Sequence, residues 1–495
     1  FWLKSGGSSR AWLRRAGRGP QVLQRSCAIP QGPASQMIPM GHGQAAEGTA
    51  GGSRSTRYLK GTSAPKPPNV DGTGLLAILW HPLNLLLLCI PFGIISHQRG
   101  WPDMWTFWLN FFAMIPLAKI LGDVTEELAA GLRNDMLAGL LNATFGNAVE
   151  MVITVQTLRQ GLFEVVKATL LGSVLSNVLL VLGMSFFCGG IVNMRGKAAS
   201  RPAARAETAS PARKPSKENG VANPAEGEYS AFVSEKDDGP AFVAEKVQHF
   251  HVLGALVNTS MLLLSCLSFS LVTVFRTITH ADGIKYMETT MLPVSRICSL
   301  IIISAYVAYI VFQLGTHREA LGACEEDNDE LEEEPVLSVG MATGILFGTT
   351  VVVAYITELL VDAIEGVTQN SGMGEHFIGI ILLPIIGNAC EHAAAVRFAM
   401  QDKPGLSIGI AVGSSTQIAL FVVPFSVIAG WIIHQPMDLN FGALNTTVMT
   451  LSVIVVLSMV VDGQSNWLQG YLLCAAYAVI AVLYWYLPNN LPEVQ

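Results

Sequence analysis

The chain has 495 residues, 51% of them hydrophobic and 14% charged, with mean hydropathy +0.44 and net charge −7. Soluble domains carry about a quarter charged residues, so this composition excludes an ordinary water-soluble globular protein. The charges crowd into residues 1–70, 195–247 and 316–335, leaving long apolar stretches between them.

The first 70 residues hold ten basic side chains, among them Arg10, Arg14, Arg15, Arg18 and Lys60, against one acid, Glu47. Ahead of a membrane body, residues 1–74 read as a basic, disordered cytosolic tail or targeting segment rather than a nucleic-acid arm. Apolar segments of about 20 residues then read as membrane helices. Eleven lie near 75–96, 104–121, 136–158, 163–190, 250–275, 291–314, 337–362, 375–399, 405–433, 441–461 and 468–487. Trp101, Trp105, Trp108, Trp431, Trp467, Trp485 and Tyr486 near their ends suit an interfacial belt.

The interval 191–249 is rich in Ala, Pro, Ser, Lys and Glu and reads as a disordered insertion. Its Lys and Arg, with those of the tail, place the N-terminus in the cytosol. A cytosolic linker, 315–336, carries eight acids in ten residues: Glu325, Glu326, Asp327, Asp329, Glu330, Glu332, Glu333 and Glu334. Such a run is solvated surface, or holds cations loosely at a cytosolic mouth. A tail, 488–495, follows the last span. Cys89, Cys188, Cys266, Cys298, Cys390 and Cys474 fall in apolar segments and no CxxC pair occurs, so neither structural zinc nor a disulfide scaffold is expected. The sequons at Asn142, Asn258 and Asn445 lie within spans, where glycosylation is not expected.

The third and eighth spans repeat each other. Gly146-Asn147-Ala148-Val149-Glu150 is matched by Gly387-Asn388-Ala389-Cys390-Glu391. Each is followed 22 residues after its Glu by a polar patch, Gly172-Ser173-Val-Leu-Ser-Asn177 and Gly413-Ser414-Ser-Thr-Gln417. Thr125-Glu126 and Thr357-Glu358 echo each other in the preceding spans. The copies begin five spans apart, so the second enters the membrane from the opposite side, as in inverted-repeat transporters with a midplane site. The expected fold is an all-α integral membrane protein of about 11 transmembrane helices. Two five-helix units, 97–314 and 337–487, form an inverted repeat, and 75–96 is an extra N-terminal helix.

Glu150 and Glu391 sit deep in apolar spans, where charge is costly and tends to be functional. Asn147 shares a helix face with Glu150, and Asn388 with Glu391. Carboxylate, amide and hydroxyl oxygens are hard ligands of the kind calcium accepts in irregular geometry. The thiol or imidazole clusters that suit zinc or copper are missing from the sequence pattern. Calcium neutralises two carboxylates, and so do two protons, whereas the empty pair repels itself in a low-dielectric cavity. That difference couples opposite fluxes of a divalent cation and protons. Glu126, Glu127, Glu358 and Asp362 either line the ion path at the mouths or are ordinary interfacial charges, and His392 is a packing or helix-capping residue or relays protons beside Glu391.

Two long segments, GNAVEMVITVQTLRQGLFEVVKATLLGSVLSNVLLVLG and GNACEHAAAVRFAMQDKPGLSIGIAVGSSTQIAL, resemble the signatures of vacuolar-type calcium/proton exchangers, within the calcium:cation antiporter superfamily. The resemblance covers roughly 75–487. It implies a non-enzymatic antiporter of an acidic endomembrane store such as a vacuole, without a cofactor, whose substrates are Ca2+ (or Mn2+) and H+. It implies ion binding by Glu150 and Glu391 in a site lined by Asn147, Asn388, Ser173, Ser414 and Gln417. Glu126 or Glu127, Glu358 and Asp362 would match pathway acids, and 325–334 a cytosolic acidic helix that gathers calcium. The chain departs from the family in its longer 191–249 insertion and in Cys390, where Ala or Thr is usual. Lipid is the expected partner, nucleic acid is not, and a homo-oligomer stays open. The alternatives are a sodium/calcium exchanger, a channel, or an intramembrane metal-dependent hydrolase; no HExxH motif occurs.

Overall fold

The computed structural model describes residues 70–132, 135–199, 247–279, 286–317 and 337–488. The basic tail through residue 69, most of the insertion and the acidic stretch 325–334 lie outside the described residues. Among the described residues, eight helices are long and apolar enough to span a membrane, or nine if one sharply bent pair counts as a span. Continuous helices therefore do not reach the expected eleven. The segment 75–96 divides into α1 (Val70–Leu79), a 3₁₀ stretch and α2 (Cys89–Gln98). The segment 136–158 divides into α4 (Asp135–Phe145) and α5 (Ala148–Arg159). Hydropathy averages over such breaks and cannot register them.

Between these pieces runs α3 (Asp103–Gly131). The apolar run suggests an end near 121, yet the helix continues because Val124, Thr125 and Leu128 remain buried. Glu126 and Glu127 therefore sit inside a helix rather than at its end. The first repeat continues with α6 (Phe163–Leu175), a π-helical stretch Ser176–Val181, α7 (Leu182–Ala199), α8 (Val252–Thr279) and α9 (Leu292–Val311). The second has α10 (Val339–Asp362), α11 (Ile364–Ser371), and the bent pair α12 (Glu375–Gly387) and α13 (Ala389–Met400), with a 61° bend. Then come α14 (Pro404–Gln417), a π stretch Ile418–Val422, α15 (Val423–Ile432), α16 (Ala443–Val460) and α17 (Trp467–Trp485).

The packing is reciprocal. Helix α3 lies along its counterpart α10, and α8 along α16. Helix α9 packs on α15 while α17 packs on α7; α5 meets α10 and α15 while α13 meets α3 and α7. Two apolar cores result, and each takes helices from both repeats. One gathers mainly α3–α5 with α10–α12, the other α6–α9 with α14–α17. Neither repeat encloses a core of its own.

A two-residue strand, β1 (Gln248–His249), pairs antiparallel with β2 (Gln464–Ser465). The buried Gln248 amide donates to Ala399 O (2.9 Å) and Asp402 Oδ1 (2.8 Å) at the end of α13. The C-terminal end of α13 therefore lies on the same membrane face as the insertion. Elsewhere Lys167 of α6 pairs with Asp438, in the loop between α15 and α16, at 2.8 Å with side chains 5% and 0% exposed.

Candidate ion-binding site

Both helix breaks are centred on an asparagine. Asn147 (φ −106°, ψ 20°) and Asn388 (φ −91°, ψ 15°) leave helical geometry, and each sits as the N-cap of the half-helix that follows. An N-cap asparagine normally bonds the first turn of its own helix. Neither does so here. Asn147 Nδ2 instead donates to Gln417 Oε1 (2.7 Å), and Asn388 Nδ2 donates to Ser173 O (3.1 Å). Each cap thus crosses into the other repeat and holds that repeat's polar patch. Asn177 completes the ring: its Nδ2 donates to Asn388 Oδ1 (3.3 Å) and Ser414 Oγ (3.1 Å).

Glu150 and Glu391 fall in the first turns of α5 and α13. Helix N-termini favour negative charge, while the C-terminal carbonyl ends of α4 and α12, just before the breaks, favour cations. Glu150 is 2% exposed and its carboxylate lies against the Gly387 backbone of the opposite repeat. Glu391, partly exposed, is within electrostatic range of both Glu150 and Glu126. Glu150 Oε2, Glu391 Oε2, Ser173 Oγ and Asn177 Oδ1 are buried oxygens without a hydrogen-bond partner. Buried acceptors of this kind carry a desolvation cost that a cation among them offsets. Among the described residues no three His, Cys, Asp or Glu side chains cluster as a metal site. The arrangement offers two carboxylates supplemented by amide, hydroxyl and main-chain oxygens, a donor set of the kind that suits a hard divalent ion.

Gly387 is where close approach matters most. A Cβ there would fall 2.6 Å from Glu150 Oε1. Gly387→Ala is expected to displace that carboxylate and lower the transport rate by about tenfold or more while the protein still inserts, as vesicle uptake at matched protein density would show.

The structure brings Glu150, Glu391, Asn147, Asn388, Ser173, Ser414 and Gln417 around the two breaks. His392 is beside them: its Nδ1 lies 2.5 Å from Asn388 O, and its buried Nε2 has no partner. Glu126 faces Glu391 from α3, in a mouth also charged by Asp123, Lys119 and Arg397. Glu127 points elsewhere: its Oε2 accepts from Leu337 N (3.2 Å), before α10. Glu358 and Asp362 are exposed on α10, and Asp362 accepts from Gln160 at the end of α5. Two further features of this region carry only a faint signal in the sequence: Asn177, which ends the first polar patch, and the Lys119–Asp123 ion pair one turn apart on α3.

The chain matches the family model for the sodium/calcium exchanger protein over residues 103–207 and 341–486. Vacuolar cation/proton exchanger 2 of Oryza sativa subsp. japonica is 36% identical over 411 residues, covering 82% of each chain. The Ca(2+)/H(+) antiporter of Synechocystis sp. is 36% identical over 420 residues, covering 82% of this chain and 97% of its own. Among solved structures, native YfkE aligns with TM-score 0.60 and 31% identity over 82% of this chain and all of its own (100%). The H+/Ca2+ exchanger CAX shares the fold, with TM-score 0.53 and 13% identity over 83% of this chain and 91% of its own.

Proposed function

This chain belongs to the sodium/calcium exchanger protein family, and from that premise we propose that it is a secondary antiporter exchanging Ca2+ for H+ across an endomembrane. Its relatives named as vacuolar cation/proton exchangers support a vacuolar or similar acidic compartment. One observation carries the reading: two glutamates from a duplicated motif stand at adjoining helix breaks, with the Glu150 carboxylate against the Gly387 of the other copy. Loading the pair with one Ca2+ or with two protons gives the same net charge. Either loaded form crosses the midplane barrier at low cost, and the empty dianion does not. Opposite fluxes follow without any covalent step, so the protein acts as a transporter and not as an enzyme.

Glu150 and Glu391 bind the ion and carry the protons; Asn147, Asn388, Ser173, Asn177, Ser414 and Gln417 shape the pocket. The mouth lined by Glu126, Asp123, Lys119 and Arg397 opens on the face that carries the insertion, which is the cytosolic face if the basic segments lie in the cytosol.

The test is radioactive calcium uptake into vesicles reconstituted with the full chain and preloaded with acid. Uptake should follow the pH gradient, and an imposed sodium gradient should not replace it. With two carboxylates as the only carriers, two protons leave per calcium. Uptake driven by sodium alone, or calcium equilibration that persists once the pH gradient is collapsed, would overturn the reading in favour of a sodium/calcium exchanger or a channel.

A further inference from the structure

Two of the three intramembrane sequons prove to be related to each other. Asn258-Thr-Ser260 lies near the start of α8, and Asn445-Thr-Thr447 near the start of its counterpart α16. In each repeat this asparagine accepts a hydrogen bond from a buried tyrosine near the end of the last helix. Tyr309 Oη donates to Asn258 Oδ1 (2.6 Å), and Tyr484 Oη donates to Asn445 Oδ1 (2.6 Å). The helices of the two repeats run in opposite senses, so the clasps stand toward opposite membrane faces.

The two clasps differ in what they hold. Asn258 also accepts, at its main-chain oxygen, the hydroxyl of Thr416 (3.1 Å) on α14, which it shares with Val412 O (2.8 Å) one turn back along that helix. Thr416 directly precedes Gln417, whose Oε1 receives Asn147. Beside this chain, Tyr306 stacks on Phe421 (5.5 Å between centroids) in the π turn that follows Gln417. In the first repeat Leu175 stands in the place of Thr416 and has no hydroxyl to give. Asn445 returns its amide N–H to Phe441 O (2.8 Å), ahead of its own helix.

We propose that Tyr309, Asn258 and Thr416 form a positioning chain that sets Gln417 against Asn147 and so tunes calcium affinity, whereas Tyr484–Asn445 is a clasp that only ties two helices together. The inference rests on the antiporter reading. Calcium must find the pocket oxygens already arranged, so loosening Gln417 weakens binding more than it slows the turnover of the loaded carrier. Each of the three positioning residues acts through Gln417.

The experiment compares pH-gradient-driven uptake of radioactive calcium by full-length wild type, Tyr309→Phe, Tyr484→Phe, Thr416→Val and Thr416→Ser, at matched amounts of inserted protein. Tyr309→Phe and Thr416→Val should each raise the half-saturating calcium concentration about five- to tenfold with the maximal rate within about twofold of wild type, as expected for losing one buried hydrogen bond that orders a ligand. Thr416→Ser, which keeps the hydroxyl, should restore the wild-type value, and Tyr484→Phe should not shift it. Equal half-saturation in wild type and Thr416→Val, or an equal shift in Tyr484→Phe, overturns the proposal. If Tyr309→Phe fails to insert, the Thr416 pair decides alone. Absence of uptake by the wild type would instead overturn the antiporter reading, so the two failures are distinguishable.

Discussion

Replacing either glutamate by glutamine should abolish exchange: Glu150→Gln and Glu391→Gln are each expected to retain less than about 1% of wild-type pH-driven calcium uptake. Glutamine keeps the shape and the oxygen of the side chain but removes the charge and the titratable proton. Calcium held by one carboxylate carries a net positive charge into a low-dielectric region, at a cost of several kcal/mol, which corresponds to about a hundredfold or more in population. On the proton-loaded limb the same variant is neutral with a single proton, so that half-cycle meets no added charge barrier. Exchange fails at the calcium-loaded limb, and because the fault is the charge of the loaded form rather than occupancy, the loss should not be rescued by raising calcium. Buried Glu150 is expected to be at least as sensitive as the more open Glu391, because its carboxylate packs directly on Gly387. Vesicle uptake across a wide calcium range checks both variants, and wild-type exchange by either would remove the basis of the site.

The second large effect concerns stability. Asp438→Ala should lower the unfolding free energy by about 3–5 kcal/mol, because it strands a buried lysine without its partner. Lys167 Nζ lies 2.8 Å from Asp438 Oδ1, with Lys167 5% and Asp438 0% exposed. Glu164 offers Lys167 a second carboxylate at 3.2 Å, but that side chain is 59% exposed and water screens it. Arg276, at 4.0 Å from Asp438 Oδ2, adds a weaker contact. The pair joins α6, which carries Ser173, to the loop leading into α16, so its loss loosens the pocket wall as well. Removing both charges as Lys167→Met with Asp438→Leu should recover much of the loss, since an apolar pair of similar volume needs no desolvation. Thermal unfolding in detergent separates the two outcomes. A double variant no more stable than Asp438→Ala would mean that the loop needs the carboxylate itself, for instance through the Asn440 N–H it accepts at 3.2 Å.

Much of the site is written in local patterns. The duplicated Gly-Asn-Ala-x-Glu motifs, their equal spacing to Gly172-Ser173 and Gly413-Ser414, and the odd number of spans between copies are all one-dimensional facts. Intramembrane acids are rare enough that Glu150 and Glu391 stand out in any window. Lys167 was equally visible as a charge in an apolar run, but its meaning was not: its partner Asp438 arrives from a distant loop, and only folding reveals a buried pair rather than a transport residue. Asn177 was legible as the last residue of a polar patch and became a member of the pocket only when its amide was seen to bridge Asn388 and Ser414. Glu127 looked like a pathway acid because it follows Glu126. One residue along a helix turns a side chain by about 100°, and that rotation carries it to Leu337 N instead of the mouth.

The sequence by itself determined the membrane class, the internal duplication, its inverted sense and the two central acids, because apolar run length and motif spacing follow directly from residue order. Only the tertiary structure decided that the capping asparagines cross between repeats and that the spans break at them. It also decided that two sequons serve as tyrosine clasps and that each apolar core draws on both copies. The physical reason is that hydrogen-bond partners and packing faces in an interlocked repeat lie far apart along the chain, and no local pattern specifies which of several compatible surfaces meet.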